Sequence, residues 1–95
     1  MLLPFMGKAS RKTAGGTMLH VEARAKEGRI SHLKIKGGNL EKHIIERLER
    51  ELKGAKLEAR ELEGTIKLEL VKAGASAYSS QAFDLAELIM NAVLN

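Results

Sequence analysis

The stretch from Thr17 to Lys36, TMLHVEARAKEGRISHLKIK, most narrows what this chain can fold into. Leu19, Val21 and Ala23 alternate with His20, Glu22 and Arg24. After Lys26-Glu27-Gly28-Arg29, Ser31, Leu33 and Ile35 alternate with His32, Lys34 and Lys36. Period-two alternation on both sides of a short turn containing glycine predicts a β-hairpin with one apolar and one basic face. Two strands alone are marginally stable in water, so the apolar face requires a helical cover.

The remainder of the chain supplies helices. Gly37-Gly38 ends the second strand, Asn39 is suited to cap a helix, and Leu40, Ile44, Ile45, Leu48 and Leu52 form one amphipathic stripe over residues 40–53, stopped by Gly54. Residues 57–73 read two ways: Leu62, Ile66, Leu70 and Ala73 share a helical face, whereas Ile66, Leu68 and Leu70 alternate as in a strand. The abundance of Leu, Glu, Lys and Ala favours the helix, closed by Gly74. For the last helix, Ser79 as N-cap would set Tyr78 against Phe83 in a hydrophobic staple. From Phe83 onward its apolar residues wrap most of the circumference, so it is either central to the fold or part of a subunit interface. Residues 1–16 lack periodicity and read as a flexible basic arm, with an apolar cluster at Leu2, Leu3, Phe5 and Met6. Residues 17–95 are then one α+β domain, a small antiparallel hairpin or sheet packed against about three helices.

Composition removes several chemistries. The 95 residues contain no cysteine, which excludes disulfides, thiolate metal sites and thiol catalysis. MLLPFM is too short for a signal-peptide apolar region, and no later run approaches a membrane span, so a cytoplasmic location is expected. The net charge of +4 is unevenly placed: Ala73–Asn95 has no Lys or Arg but carries Asp84 and Glu87, while the arm and hairpin hold much of the positive charge. Arg24, Lys26, Arg29, Lys34 and Lys36, with Arg11 and Lys12 upstream, would attract phosphate or a carboxylate-rich partner. The region lacks the aromatics that stack on bases, which disfavours a nucleic-acid site.

No catalytic constellation stands out. His20 and His32 would face each other across the hairpin, but only Glu22 is nearby as a third ligand, and His43 lies on the polar side of its helix; no metal site is assigned. Gly15-Gly16 and Gly37-Gly38 match neither phosphate-binding glycine motif and are explained by turns. Ser79 and Ser80 have no predictable activating base.

The run KTAGGTMLHVEARAKEGRISHLKIKGG resembles the start of the C-terminal accessory domain of lipoate–protein ligases. The matching positions are the Lys12, Gly15 and Gly16 lead-in, Leu19 and Val21, the Glu27-Gly28 turn, then Ile30, Leu33, Ile35 and Gly37. The similarity continues through LERELKG, residues 48–54, and Tyr78-Ser79 with Phe83, covering residues 8–95. It departs at Gly37-Gly38-Asn39-Leu40, where the family often has Gly-Asp and aromatics, and at Ser80, where the family has proline.

This resemblance implies a fold related to the iron–sulfur scaffold proteins (SufE/NifU-like) and a stand-alone subunit of a split, archaeal-type ligase. ATP, Mg²⁺ and lipoate would then be bound by a catalytic partner in a heterodimer, with none held by this chain alone. The catalytic chain makes lipoyl-AMP and transfers the lipoyl group to an acceptor protein, a second partner the resemblance admits. The expected partner-contact residues are Arg11, Lys12, Gly15, Gly16 and Gly37 near the active site, with Leu88, Ile89 and Val93 as docking surface. Two other readings of the residues are a small nucleic-acid-binding module and a homo-oligomeric structural protein using the last helix.

Overall fold

The structure is a computed structural model that describes residues 7–13 and 16–94. The cluster of Leu2, Leu3, Phe5 and Met6 lies outside the described residues, as does Gly15. In chain order the elements are β1 (Gly7–Lys12), β2 (Met18–Lys26), β3 (Arg29–Gly37), α1 (Lys42–Leu52), α2 (Ala59–Lys72), a short 3₁₀ turn (Ser76–Tyr78) and α3 (Gln81–Leu94). The strands form one antiparallel sheet in the order β1-β2-β3, and the helices cover one of its faces, giving the expected α+β class.

The hairpin forms where its alternation places it. Glu27 and Gly28 are its two loop residues, and both have positive φ, 54° and 74°. Positive φ at both central positions is the type I′ signature, whose twist matches that of the flanking strands. One detail departs from simple alternation. Arg24 pairs with His32 and Ala25 with Ile30, leaving Ser31 as the extra residue of a bulge, its Oγ donating to the Arg24 carbonyl at 3.1 Å. The bulge corrects the placement of Ser31 on the apolar face: Ile30 is buried in its stead, on the same side as Leu33 and Ile35. Ile30 is also tied to the α1–α2 connection, donating to the Ala55 carbonyl and accepting from the Gly54 N–H.

The segment read as an arm contains a strand. Ala9 opposes Val21 and Arg11 opposes Leu19, so Gly7, Ala9 and Arg11 lie on the covered side. The alternation is there, but glycine and alanine occupy the inward positions in place of large apolar residues. Small residues are what the site permits: Gly7 is buried, and a Cβ there would overlap the carbonyl oxygen of Ala92 on α3.

Each helix buries a stripe against this sheet or a neighbouring helix. Ile44, Leu48 and Leu52 of α1, Leu62, Ile66 and Leu70 of α2, and Leu85, Leu88 and Ile89 of α3 join Leu19, Val21, Ala23, Ile30, Leu33 and Ile35 in one core. Residues 59–72 are helical, as propensity favours, and Leu68, which the strand alternative would bury, is 52% exposed. A Schellman arrangement closes α2: Ala75 N–H donates to the Leu70 carbonyl and Gly74 N–H to the Val71 carbonyl. Arg47 of α1 binds the buried Glu69 of α2 at 2.9 Å, and Lys72 shares that carboxylate at 3.7 Å.

Two caps differ from expectation. Asn39 has φ 61° and sits in the turn before α1, while Glu41 holds the N-cap position without a side-chain bond. Ser79 closes the 3₁₀ turn in α-helical geometry and α3 opens at Gln81, so the staple register is lost and Phe83 is 52% exposed.

Two glycine substitutions should move stability in opposite directions, read by chemical denaturation. Gly7→Ala meets the α3 backbone and should destabilise by roughly 1–3 kcal/mol or more. Gly64→Ala, inside α2 with open space around it, should stabilise by about 0.5–1 kcal/mol. Equal effects would contradict the packing of β1 on α3.

Candidate partner interface

Antiparallel register decides which side chains share the uncovered sheet face, because directly paired residues point the same way. Across the strands the rows are Lys12 with Met18, then Ser10, His20 and Lys36, then Lys8, Glu22 and Lys34, then Arg24 with His32. Each of these residues except the half-buried Glu22 is exposed. The face is therefore a basic surface with one carboxylate, Glu22, which pairs with Lys8 at 3.7 Å.

Arg11 does not belong to that surface. It lies on the covered side and its Nη1 donates to Glu87 Oε1 at 2.8 Å and Asp84 Oδ1 at 3.0 Å, both on α3. These hydrogen bonds, Glu87 first and then Asp84, raise its pKa above the ordinary guanidinium value. Arg29 also leaves the basic face, donating to the Gly54 carbonyl at 3.0 Å. The helix partners of Arg11 were legible as a signal: Asp84 and Glu87, three apart, carry the acid charge of a segment without cations.

The two hairpin histidines do not face each other. His20 is opposite Lys36 and its Nδ1 lies 2.7 Å from Ser10 Oγ, whereas His32 is opposite Arg24. Among the described residues no group of three or more His, Asp or Glu side chains is placed to hold a metal ion. His43 is exposed beside Glu41, at 3.3 Å.

Register brings Arg11, Lys12, Gly16 and Gly37 to one end of the sheet, since Leu19 pairs with both Arg11 and Gly37 and Gly16 lies just before β2. At this end Gly37 has φ 90°, and a Cβ there would overlap the Met18 carbonyl oxygen, so the close crossing of the strands requires glycine. Gln81 of α3 clamps the same corner by donating to the Gly38 carbonyl at 3.1 Å. Leu88 and Ile89 are elsewhere: at 1% and 0% exposure they sit in the chain's own core, which corrects their assignment to a docking surface. Val93 is half-buried against that core near the far end of α3. The apolar circumference of α3 is thus explained by its contacts with β1, β2 and α2.

Glu49, which sequence reasoning did not single out, accepts from the Ile35 N–H at 2.8 Å. It satisfies a backbone donor on an edge strand, a position that otherwise invites pairing with another chain. Three open surface depressions are lined by Arg29, Lys56 and Glu61, by Arg50, Lys53 and Glu46, and by Lys34, Glu22 and Glu49. Every one of them mixes carboxylates with its cations, a poor lining for a polyphosphate. No helix among the described residues is long and apolar enough to cross a membrane.

A family model described as bacterial lipoate protein ligase C-terminus matches residues 4–89. None of the curated proteins compared with the chain matches it.

The division of the two neighbouring cations is testable by thermal melting. Arg11→Met should lower stability, because it leaves Asp84 and Glu87 adjacent without their shared cation. Lys12→Met, on the open face, should remain within about 0.5 kcal/mol of the unmodified chain. Equal losses would contradict the assignment of Arg11 to the fold and Lys12 to the surface.

Proposed function

The chain belongs to the bacterial lipoate protein ligase C-terminus family, and on that premise we propose that it is the accessory, non-catalytic subunit of a lipoate–protein ligase. In this reading it binds a separate catalytic chain as a heterodimer and enables the adenylation step. There the lipoate carboxylate attacks the α-phosphorus of ATP, pyrophosphate leaves, and lipoyl-AMP forms for later transfer to an acceptor lysine. ATP, Mg²⁺ and lipoate are held by the catalytic chain. This chain contributes a preformed surface that orders or closes the partner's site, a way in which a protein without reacting groups can raise a rate.

The observation that carries the reading is the family match across residues 4–89. The geometry is in keeping with it: the sheet presents an exposed basic face, and the surface depressions mix acids with their cations. The test combines the purified chain with a lipoate ligase catalytic chain lacking its C-terminal domain, together with ATP, Mg²⁺ and lipoate. Lipoyl-AMP formation should rise at least about tenfold over the catalytic chain alone, the change produced by ~1.4 kcal/mol in barrier. No rise would refute the proposal.

A further inference from the structure

Cations on the helical side of the molecule divide: five, Lys72 among them, have a carboxylate partner, whereas Lys53, Lys56 and Arg60 have none within 4 Å among the described residues. Lys42 pairs with Glu46, Arg47 with Glu69, Arg50 with Glu51, and Lys67 with Glu63. The outer sheet face gathers such cations on one surface: no ion pair within 4 Å joins Lys12, Arg24, Lys34 or Lys36 to a described carboxylate. These four project from a three-stranded sheet whose register is set by backbone pairing, so their spacing is held by the fold. Met18, 44% exposed opposite Lys12, adds an apolar contact at the margin.

We propose that this face, centred on Lys34 and Lys36 with Arg24 and Lys12 at its flanks, is the surface that docks a carboxylate-rich protein partner. Resting on the functional reading above, that partner is the ligase catalytic chain. Charge complementarity selects an anionic occupant. The described face carries no aromatic side chain, Tyr78 and Phe83 lying on the 3₁₀ turn and α3, so it lacks the stacking platforms with which single-stranded nucleic acid is held. A rigid face of discrete cations with an apolar margin fits a folded acidic surface better. Association through it would be fast at low salt and weaken as salt screens the charges.

The experiment measures binding of the full chain to the catalytic chain by calorimetry at low and near-physiological salt. Four forms are compared: unmodified, K34E/K36E, K34Q/K36Q, and K53E/R60E, which makes the same change in net charge as K34E/K36E on the helical side. Circular dichroism checks that each is folded, and the neutral K34Q/K36Q pair provides a milder version. The expected result is a loss of at least about tenfold for K34E/K36E with a shallower salt dependence, a smaller loss for K34Q/K36Q, and a change within about twofold for K53E/R60E. If the unmodified chain binds and K34E/K36E weakens it no more than K53E/R60E, the docking face is overturned while the functional reading stands. If the unmodified chain does not bind the catalytic chain, the functional reading fails and the inference with it. Tighter binding of an oligouridine, lost in K34E/K36E, would assign the face to nucleic acid and overturn the proposal.

Discussion

Covering one face of a three-stranded sheet is the constraint from which the rest of the molecule follows. Leu19, Val21, Ala23, Ile30, Leu33 and Ile35 have to leave water together, and α3 over β1 and β2, with α1 against β3, removes them. Burial of apolar area at about 25 cal/mol per Å² drives this, and no element here could bury its stripe alone. The same demand explains α3, whose apolar residues extend around much of its surface because it meets two strands and α2. It also leaves the opposite sheet face uncovered, and that face carries Lys12, Arg24, Lys34 and Lys36, none of them within 4 Å of a described carboxylate.

The covered face is held in place by polar contacts at its margins. Gly7 lets β1 approach the backbone of α3, Arg11 binds Glu87 and Asp84 on the same helix, and Gln81 reaches the Gly38 carbonyl at the hairpin's exit. On the other edge Glu49 satisfies the Ile35 N–H. These contacts make the strand register, and hence the spacing of the outward cations, a property of the fold. A surface preorganised in this way loses little conformational freedom when a partner binds. Placing the chemistry on another chain is then consistent with what this chain builds: a rigid, charged face on a small core.

Much of this was legible in the residues, and the failures have physical causes. Period-two alternation locates the hairpin and the stripe through Leu48 locates α1, while in residues 57–73 the pattern fits helix and strand alike and only composition favours the helix that forms. Strand β1 was hidden because its inward positions are Gly7, Ala9 and Arg11, chosen for close approach and for a helix carboxylate, with no large apolar residue to mark the period. Ser31 looked like an inward residue because a bulge shifts phase without leaving a distinctive residue behind. Arg11 was grouped with Lys12 by sequence proximity, whereas neighbouring strand residues point to opposite faces. Leu88 and Ile89 lie inward because β1, whose period no large apolar residue marks, adds a third element to the surface that α3 covers. Lys34 and Lys36, by contrast, lie on the basic face that alternation assigns them, since both are beyond the bulge in unbroken alternation.

The central claim is that the uncovered sheet face meets the catalytic chain. Lysine-reactivity footprinting by mass spectrometry, with and without that chain, tests it residue by residue. The expected result is that Lys12, Lys34 and Lys36 lose reactivity on complex formation while Lys42, Lys53 and Lys67 on the helical side keep theirs. Protection of the helical lysines with Lys34 and Lys36 unchanged would contradict it.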